Sequence, residues 1–454
     1  MNTSLPIKLL ESLEGIAGFN KEAFIEVHKK NDSITSIRYN PFKQIADVNR
    51  WVDAKVPWSS NGFYLSQRPL FTIDPLFHAG VYYVQEASSM FLEEVMKQLI
   101  DLSKPVRVLD LCAAPGGKST LLQSIISSDS LLVSNEVIQS RVGVLRENII
   151  KWGGANVAVT HNDPEDFGKV EGFFDVIVVD APCSGSGLFR KDEKAILEWS
   201  ENNVQLCSHR QQRILADVLP ALKEDGILIY STCSYSCEED EVICDWLCDE
   251  LKMQSERLAI KAEWNIAETV STKHKAWGYR FWPDKIKGEG FFISCFRKKE
   301  EHRFYYTQTK SFSKSTRKQT EILSSYISFP EQFEFVKLTE DFFAVPKNLL
   351  QDILLLQSVF RLRYAGILMG QLNKDELIPE HALALSYFIN KNLPSLSLNR
   401  EQSLQYLRKQ DLLVETNARG WFLVTFENTN LGWVKILPNR INNYYPKEWR
   451  ILKV

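Results

Sequence analysis

Residues 106–297 predict an α/β fold built on a mostly parallel sheet. Three observations lead there: apolar runs of strand length alternate with helix-length stretches, a Pro-Gly-Gly turn at 115–117 joins the first run to a helix, and cysteines or acids stand at the ends of several runs. The runs are 106–112, 131–137, 157–161, 174–180 and 226–231, and 291–297 closes the series. Each is short and apolar enough to be buried on both faces, as strands of a helix-covered parallel sheet are. Between them, 139–152 and 209–222 have helical patterns. There is no internal repeat and no low-complexity tract.

The flanking regions are less regular. Residues 1–100 mix helical patterns (21–30 and 87–99) with aromatic pieces around Trp51, Trp58, Phe63 and Tyr64. Between 297 and 318 the chain turns basic: Arg297, Lys298, Lys299, Arg303, Lys310, Lys314, Arg317 and Lys318 face only Glu300 and Glu301. That stretch reads either as a solvated connector or as a phosphate contact. From about 320 the composition is globular again. Four regions are expected: 1–100, a catalytic domain at 101–300, a linker with a small α+β domain at 301–380, and a terminal module at 381–454. Residues 431–450 interleave Trp433, Tyr444, Tyr445 and Trp449 with Lys435, Arg440, Lys447 and Arg450. Aromatic faces stack on bases while cations hold phosphates, so the pattern suits RNA; a small β-domain core uses the same aromatics.

Composition bounds the class. With 454 residues, 44% hydrophobic and 24% charged, the chain is long enough for several cores. A net charge of -3 excludes a polycation, so any nucleic-acid binding must rest on local patches. Eight cysteines without paired Cys-x-x-Cys knuckles are neither a disulfide framework nor a zinc ribbon, and point to a reducing compartment. Residues 1–8 lack a secretory pattern, and no apolar run approaches the roughly 20 residues of a membrane span. A cytoplasmic protein, acting as a monomer and not on a membrane, is expected. No metal is expected either: Cys244 and Cys248 share a helix face but lack two further ligands, and with Cys207 and Cys295 they read as core.

The chemistry concentrates at the strand ends. Asp110 closes the first run, and Cys112, Ala113, Ala114, Pro115, Gly116, Gly117 and Lys118 lead from it into a helix. Glycines there let a ligand approach the backbone, and a helix N-terminus favours polar or anionic groups. Glu136 follows the second run, where an acid grips ribose hydroxyls, with Asp163 after the third and Asp180 at the end of the fourth. Successive acids suit an adenosine cofactor carrying a cationic sulfonium.

Cys183 sits in Asp-Ala-Pro-Cys-Ser-Gly-Ser-Gly (180–187) and Cys233 in Tyr-Ser-Thr-Cys-Ser (230–234), each just past a strand. A thiolate adding to carbon 6 of a pyrimidine makes carbon 5 nucleophilic enough to take a methyl group, and a second thiol could assist release. A carboxyl bonded to the adjacent ring nitrogen would stabilise the addition, and Asp180 stands where this is needed. A lone cysteine in such a place is more often a buried hydrophobe; two beside a glycine loop reverse that reading. The residues themselves leave open which thiol attacks.

These segments resemble the Sun/Fmu family of S-adenosylmethionine-dependent RNA cytosine-carbon-5 methyltransferases. The resemblance rests on Leu-Cys-Ala-Ala-Pro-Gly-Gly-Lys (111–118), the 180–187 segment with Arg190-Lys191-Asp192, and Ser-Thr-Cys-Ser (231–234) with Glu-Glu-Asp-Glu (238–241). Tyr-Val-Gln-Glu-Ala-Ser-Ser-Met (83–90) and Gly-Glu-Gly-Phe-Phe (288–292) add to it. Departures are Tyr39, where valine or isoleucine is commoner, and Asp240, where asparagine is frequent.

The resemblance implies a Rossmann-like methyltransferase domain with a mostly parallel seven-stranded sheet and an N-terminal α+β RNA-binding region. It implies S-adenosyl-L-methionine held by residues 112–118, Glu136, Asp163 and Asp180, with Cys233 as nucleophile and Cys183 aiding release. The C-terminal third resembles longer bacterial members that carry a small α+β, PUA-like RNA-binding module, through Gly432-Trp433 and residues 442–447. The expected partner is therefore RNA: 16S rRNA or a small-subunit assembly intermediate. The alternatives are a transfer-RNA cytosine methyltransferase and a non-catalytic assembly factor. Amino-methylation is disfavoured, because Asp180-Ala-Pro-Cys is not the Asn/Asp-Pro-Pro-Tyr that it needs.

Overall fold

The computed structural model describes residues 5–30, 34–43, 51–299, 313–412, 414 and 416–452. Of the basic stretch noted above, Arg303, Lys310, Glu300 and Glu301 lie outside the described residues.

Seven strands form the centre: β1 (Arg107–Asp110), β2 (Leu131–Asn135), β3 (Val157–Thr160), β4 (Phe174–Asp180), β5 (Leu222–Thr232), β6 (Trp277–Phe281) and β7 (Phe291–Arg297). Their order is β6-β7-β5-β4-β1-β2-β3, with β1 to β5 parallel, β7 antiparallel to β5, and β6, antiparallel to β7, running again with the parallel set. Chain direction across the sheet reverses between β1 and β4, and a doubly wound sheet binds ligands at that switch, beyond the C-terminal strand ends. Three further strands bring the sheet to ten: Ala267–Val270 beside β6, Gln254–Ser255 on β7, and Leu362–Ala365 antiparallel on β3. An exposed edge strand is a template for unwanted pairing, and these additions cover both sides.

Alternate residues feed the two faces. Val108, Val176 and Val178 enter one core with helices Leu92–Leu99, Gly117–Ile125 and Gln139–Trp152. Leu109, Ile177 and Val179 enter the other with Glu201–Val218, Glu241–Asp249 and Leu350–Val359. Gln139–Trp152 has the expected bounds and stops at Gly153, whose φ of 90° is left-handed.

Two expected helices differ. That at 209–222 runs over Glu201–Val218, because the Ser200 hydroxyl caps Asn203 N, and Pro220 diverts the chain after Val218. The stretch 87–99 opens as a 3-10 turn, Ser88–Phe91, and is α-helical only from Leu92.

Outside the sheet, Val52–Lys55, Gly62–Leu65, Ser36–Tyr39 and Tyr82–Val84 form an antiparallel N-terminal sheet. Arg38, buried in its central strand, donates to Gln85 Oε1 (2.8 Å) and Thr120 Oγ1 (2.6 Å) and lies 4.5 Å over Trp152, joining this region to the helix after β1. Ile37, Tyr39 and Tyr82 share one apolar core with Val424 and Val434 of the C-terminal sheet (Ser395–Ser397, Gly420–Phe426, Thr429–Leu437, Arg440–Asn443), Tyr406 of the helix Arg400–Leu407, and Tyr445 just past the last strand. The two ends of the chain are thus one packing unit. In the C-terminal aromatic stretch the core reading holds for Trp433 and Tyr445, each 1% exposed, while Tyr444 stays 38% exposed.

Candidate active site

At the switch point the chain leaves β1 through Leu111 and Cys112 and turns at Gly116 into the helix Gly117–Ile125. Gly116 has a φ of 116°, which a side chain would strain. A Cβ on Gly117 would stand 3.4 Å from the Tyr83 ring, so the turn lies close under the N-terminal sheet. The loop is pinned by Leu111 N to Val178 O (3.0 Å) and Ala113 N to Asn135 O (2.8 Å).

The loops after β4 and β5 lie side by side, because the parallel register sets Asp180 opposite Ser231 and Ala181 N donates to Ser231 O at 2.8 Å. That register brings the two sulfurs together: Cys183 Sγ and Cys233 Sγ are 3.1 Å apart. Asp180 accepts from Ser231 Oγ (2.8 Å) and pairs with Lys118 Nζ (2.7 Å), whose ammonium stands 5.2 Å over the Phe291 ring.

A cavity of about 400 Å³ opens here, lined by Cys112, Ala113, Ala114, Pro115, Gly117, Lys118, Asp180 and Cys233. Of the residues proposed for the site from sequence, Cys183 lies behind Cys233 and does not line the cavity. Gly116 forms the turn beneath it, and Glu136 and Asp163 stand apart from the lining. Glu136 is buried after β2, with Oε1 accepting from Ile138 N (2.8 Å) and Oε2 3.5 Å from Arg141. Asp163 is exposed and caps the short helix Pro164–Val170 through Glu165 N. The other wall comprises Tyr83, Gln85, Glu86, Glu289, Gly290 and Phe291. These belong to two segments quoted above only as signatures, with no role attached.

Electrostatics separate the groups. The contact with Cys233 first, and burial second, push the Cys183 thiol well above its ordinary value, so Cys183 keeps its proton. Burial pulls the Lys118 ammonium down, but the Asp180 and Asp110 carboxylates outweigh it and hold Lys118 above its usual value. Burial raises the Cys112 thiol, which is therefore an inert part of the wall.

Asp110 is pushed up to about 7 by burial, against the Ser119 hydroxyl that donates to its Oδ2 at 2.6 Å. Its folded value lies above its unfolded one, so the native state holds a proton that the unfolded chain has lost. The Asp110 contribution to stability therefore falls as pH rises from about 4 to about 7 and is constant above that. Asp110→Asn should remove this slope and leave the cofactor-free protein more stable than wild type at pH 8 by a few kcal/mol. Urea unfolding across that pH range measures it, and a wild-type slope in the variant would refute the assignment.

The residues present fit an adenosine cofactor with a cationic sulfur. Two buried acceptors, Asp110 Oδ1 and Glu136 Oε2, have no hydrogen-bond donor among the described residues, and a cofactor bearing hydroxyl and ammonium groups supplies donors. Val137 and Ile138, beside Glu136, are 46% and 48% exposed and offer an apolar face for a flat base.

Strand order, glycine turn and cavity define a methyltransferase of the doubly wound class. A methyltransferase homologue from Pyrococcus horikoshii has the same fold at a TM-score of 0.51 and 29% identity, over 65% of this chain and 100% of its own. NSun6 from Pyrococcus horikoshii with SFG shares it at a TM-score of 0.54 and 19% identity, over 66% and 99%. Family models match three stretches: 16S rRNA methyltransferase RsmB/F at residues 97–297, the N-terminal domain of 16S rRNA methyltransferase RsmF at 5–87, and the methyltransferase RsmF PUA domain at 393–451. The ribosomal RNA small subunit methyltransferase F of Psychromonas ingrahamii is 30% identical, over 98% of this chain and 97% of its own length. That of Aliivibrio fischeri strain ES114 is 30% identical over 90% and 88%. The chain belongs to the 16S rRNA methyltransferase RsmB/F family. It is an RNA cytosine-carbon-5 methyltransferase, and its cofactor is S-adenosylmethionine.

Proposed function

We propose that this enzyme makes 5-methylcytosine in small-subunit ribosomal RNA by covalent catalysis through Cys233. The observation that carries the reading is the 3.1 Å sulfur pair with only Cys233 in the cavity, opposite the glycine turn and beside the Lys118–Asp180 pair.

Neither sulfur can reach a base inside a helix, so the target cytosine must leave its stack. The Cys233 sulfur adds to carbon 6, forming the S–C bond and making carbon 5 electron-rich. The ring nitrogen takes up a proton as the sulfur adds, and the N–H so formed donates to the Asp180 carboxylate, which Lys118 holds in place. Residues 112–118 and Asp180 in the cavity, with Glu136 and Asp163 at the neighbouring strand ends outside its lining, would hold S-adenosylmethionine, which would supply the methyl group. Water in the open cavity then takes the carbon-5 proton, the electrons of that C–H bond re-form the C5–C6 double bond, the S–C bond breaks with its pair on sulfur, and the ring-nitrogen proton returns to solvent. Cys183, still protonated, can donate its S–H to the departing Cys233 sulfur.

The N-terminal sheet and the C-terminal module, joined by their shared core, grip the RNA on one side of the cavity. The domain division given above and action in the cytoplasm as a monomer belong to this reading.

Bisulfite sequencing of RNA from strains with and without the gene tests it. One or a few cytosines of 16S rRNA should lose their methyl group in the deletion. Loss confined to transfer RNA, or no loss at all, would overturn the substrate.

A further inference from the structure

Each thiol is followed by a serine, Ser184 after Cys183 and Ser234 after Cys233, and both serines converge on one buried carboxylate. Glu239 Oε1 accepts from Ser184 N (2.8 Å) and Gln211 Nε2 (3.2 Å). Its Oε2 accepts from Ser184 Oγ (2.5 Å) and Ser234 Oγ (2.6 Å). Tyr230, on β5, donates through its hydroxyl to Glu239 O at 2.6 Å, fixing the backbone beneath. Glu239 and Gln211 are 0% exposed and Ser234 1%.

A carboxylate has about four lone-pair sites and no donor, and here four donors fill them. Burial pushes Glu239 up from the usual carboxylate range, and the Ser184 and Ser234 donors oppose that. Burying a charge costs stability that an apolar side chain would not, so its presence here is better explained by geometry than by stability. The two loops belong to segments 50 residues apart; Gly187 N to Cys233 O and Tyr235 N to Ser186 Oγ (2.8 Å each) also join them, and Glu239 adds a carboxylate bonded to the serine next to each thiol.

We infer that Glu239 is a positioning residue: it clamps the Cys183 and Cys233 loops together and so sets the distance between the attacking and the releasing sulfur. This rests on the covalent reading above, but the spacing can be read without catalysis. A glutamine amide nitrogen could still donate to the two serine hydroxyl oxygens, whereas alanine removes all four acceptor sites at once. Glu239→Ala should therefore let the loops part.

The readout is oxidation of the full-length protein by diamide. The diamide takes up two protons and two electrons as the Cys183–Cys233 S–S bond forms, and mass spectrometry follows the product. A disulfide needs its sulfurs at about 2.05 Å, so its rate reports how often the thiols meet. Glu239→Ala should slow that reaction about 10-fold or more, and single-turnover methyl transfer roughly 100-fold, as expected for a ~1 Å misplacement. S-adenosylmethionine affinity by calorimetry should be unchanged.

Wild-type rates in both reactions would overturn the inference, and so would slow methyl transfer with a wild-type disulfide rate. If Glu239→Ala fails to fold, Ser234→Ala, which frees one loop only, carries the same expectation and the same refutation. If Cys233→Ala still methylates, the covalent reading falls while the disulfide result on Glu239 stands.

Discussion

Cys233→Ala is expected to abolish methyl transfer while leaving the cofactor site intact. The Cys233 sulfur lines the cavity, and its neighbour cannot take over. Cys183 sits behind it, outside the cavity lining, and the burial that raises its thiol remains in this variant, so it offers no thiolate facing a base. Without addition at carbon 6, carbon 5 stays a poor nucleophile, and proximity alone contributes little. Losing the nucleophile of a covalent mechanism costs on the order of 10⁴-fold or more. The glycine turn, Lys118 and Asp180 make no hydrogen bond to this sulfur among the described residues, so S-adenosylmethionine affinity by calorimetry should stay within about 2-fold, well below what one lost hydrogen bond would cost. Methyl transfer at the wild-type rate would refute Cys233 as the nucleophile.

Cys183→Ala should do the opposite and accumulate a protein–RNA adduct. Attack and methylation need only Cys233, so the first chemical steps survive. Expulsion of sulfur is then left without a proton donor at 3.1 Å. General-acid assistance contributes about 10²- to 10⁴-fold, so release should become rate-limiting and multiple turnover should nearly cease. On a denaturing gel a shifted, RNA-linked band should appear with the cofactor present, and Cys233→Ala in the same background should remove it. A gel with no shifted band would count against a release role for Cys183.

Much of the site is legible along the chain, because its chemistry sits at strand ends and strand ends are marked by apolar runs. Cys112–Lys118, Asp180, Cys183 and Cys233 follow runs whose two-sided burial makes them nearly continuous in Val, Ile and Leu. β6 is less legible: its Arg280 breaks the apolar pattern, yet it is buried against Asp240 and Glu241, 40 and 39 residues away. Glu239 and Arg38 are hidden for the same reason. A buried charge looks like a surface residue until its partners are known, and those partners are remote in sequence. Leu362–Ala365, lying beyond the catalytic region, gives no local sign that it pairs with β3.

Residue type and spacing alone determined the fold class, the glycine turn after β1, the acids suited to an adenosine cofactor and the two thiols available for a pyrimidine. These follow from local properties: apolar periodicity, the conformational freedom of glycine and the reactivity of sulfur. Only the tertiary structure decided that the two sulfurs touch, that Cys233 alone faces the cavity, that one carboxylate joins their loops, and that the two ends of the chain share a core. Those are distances between segments far apart in sequence, set by sheet register and packing rather than by any stretch of chain.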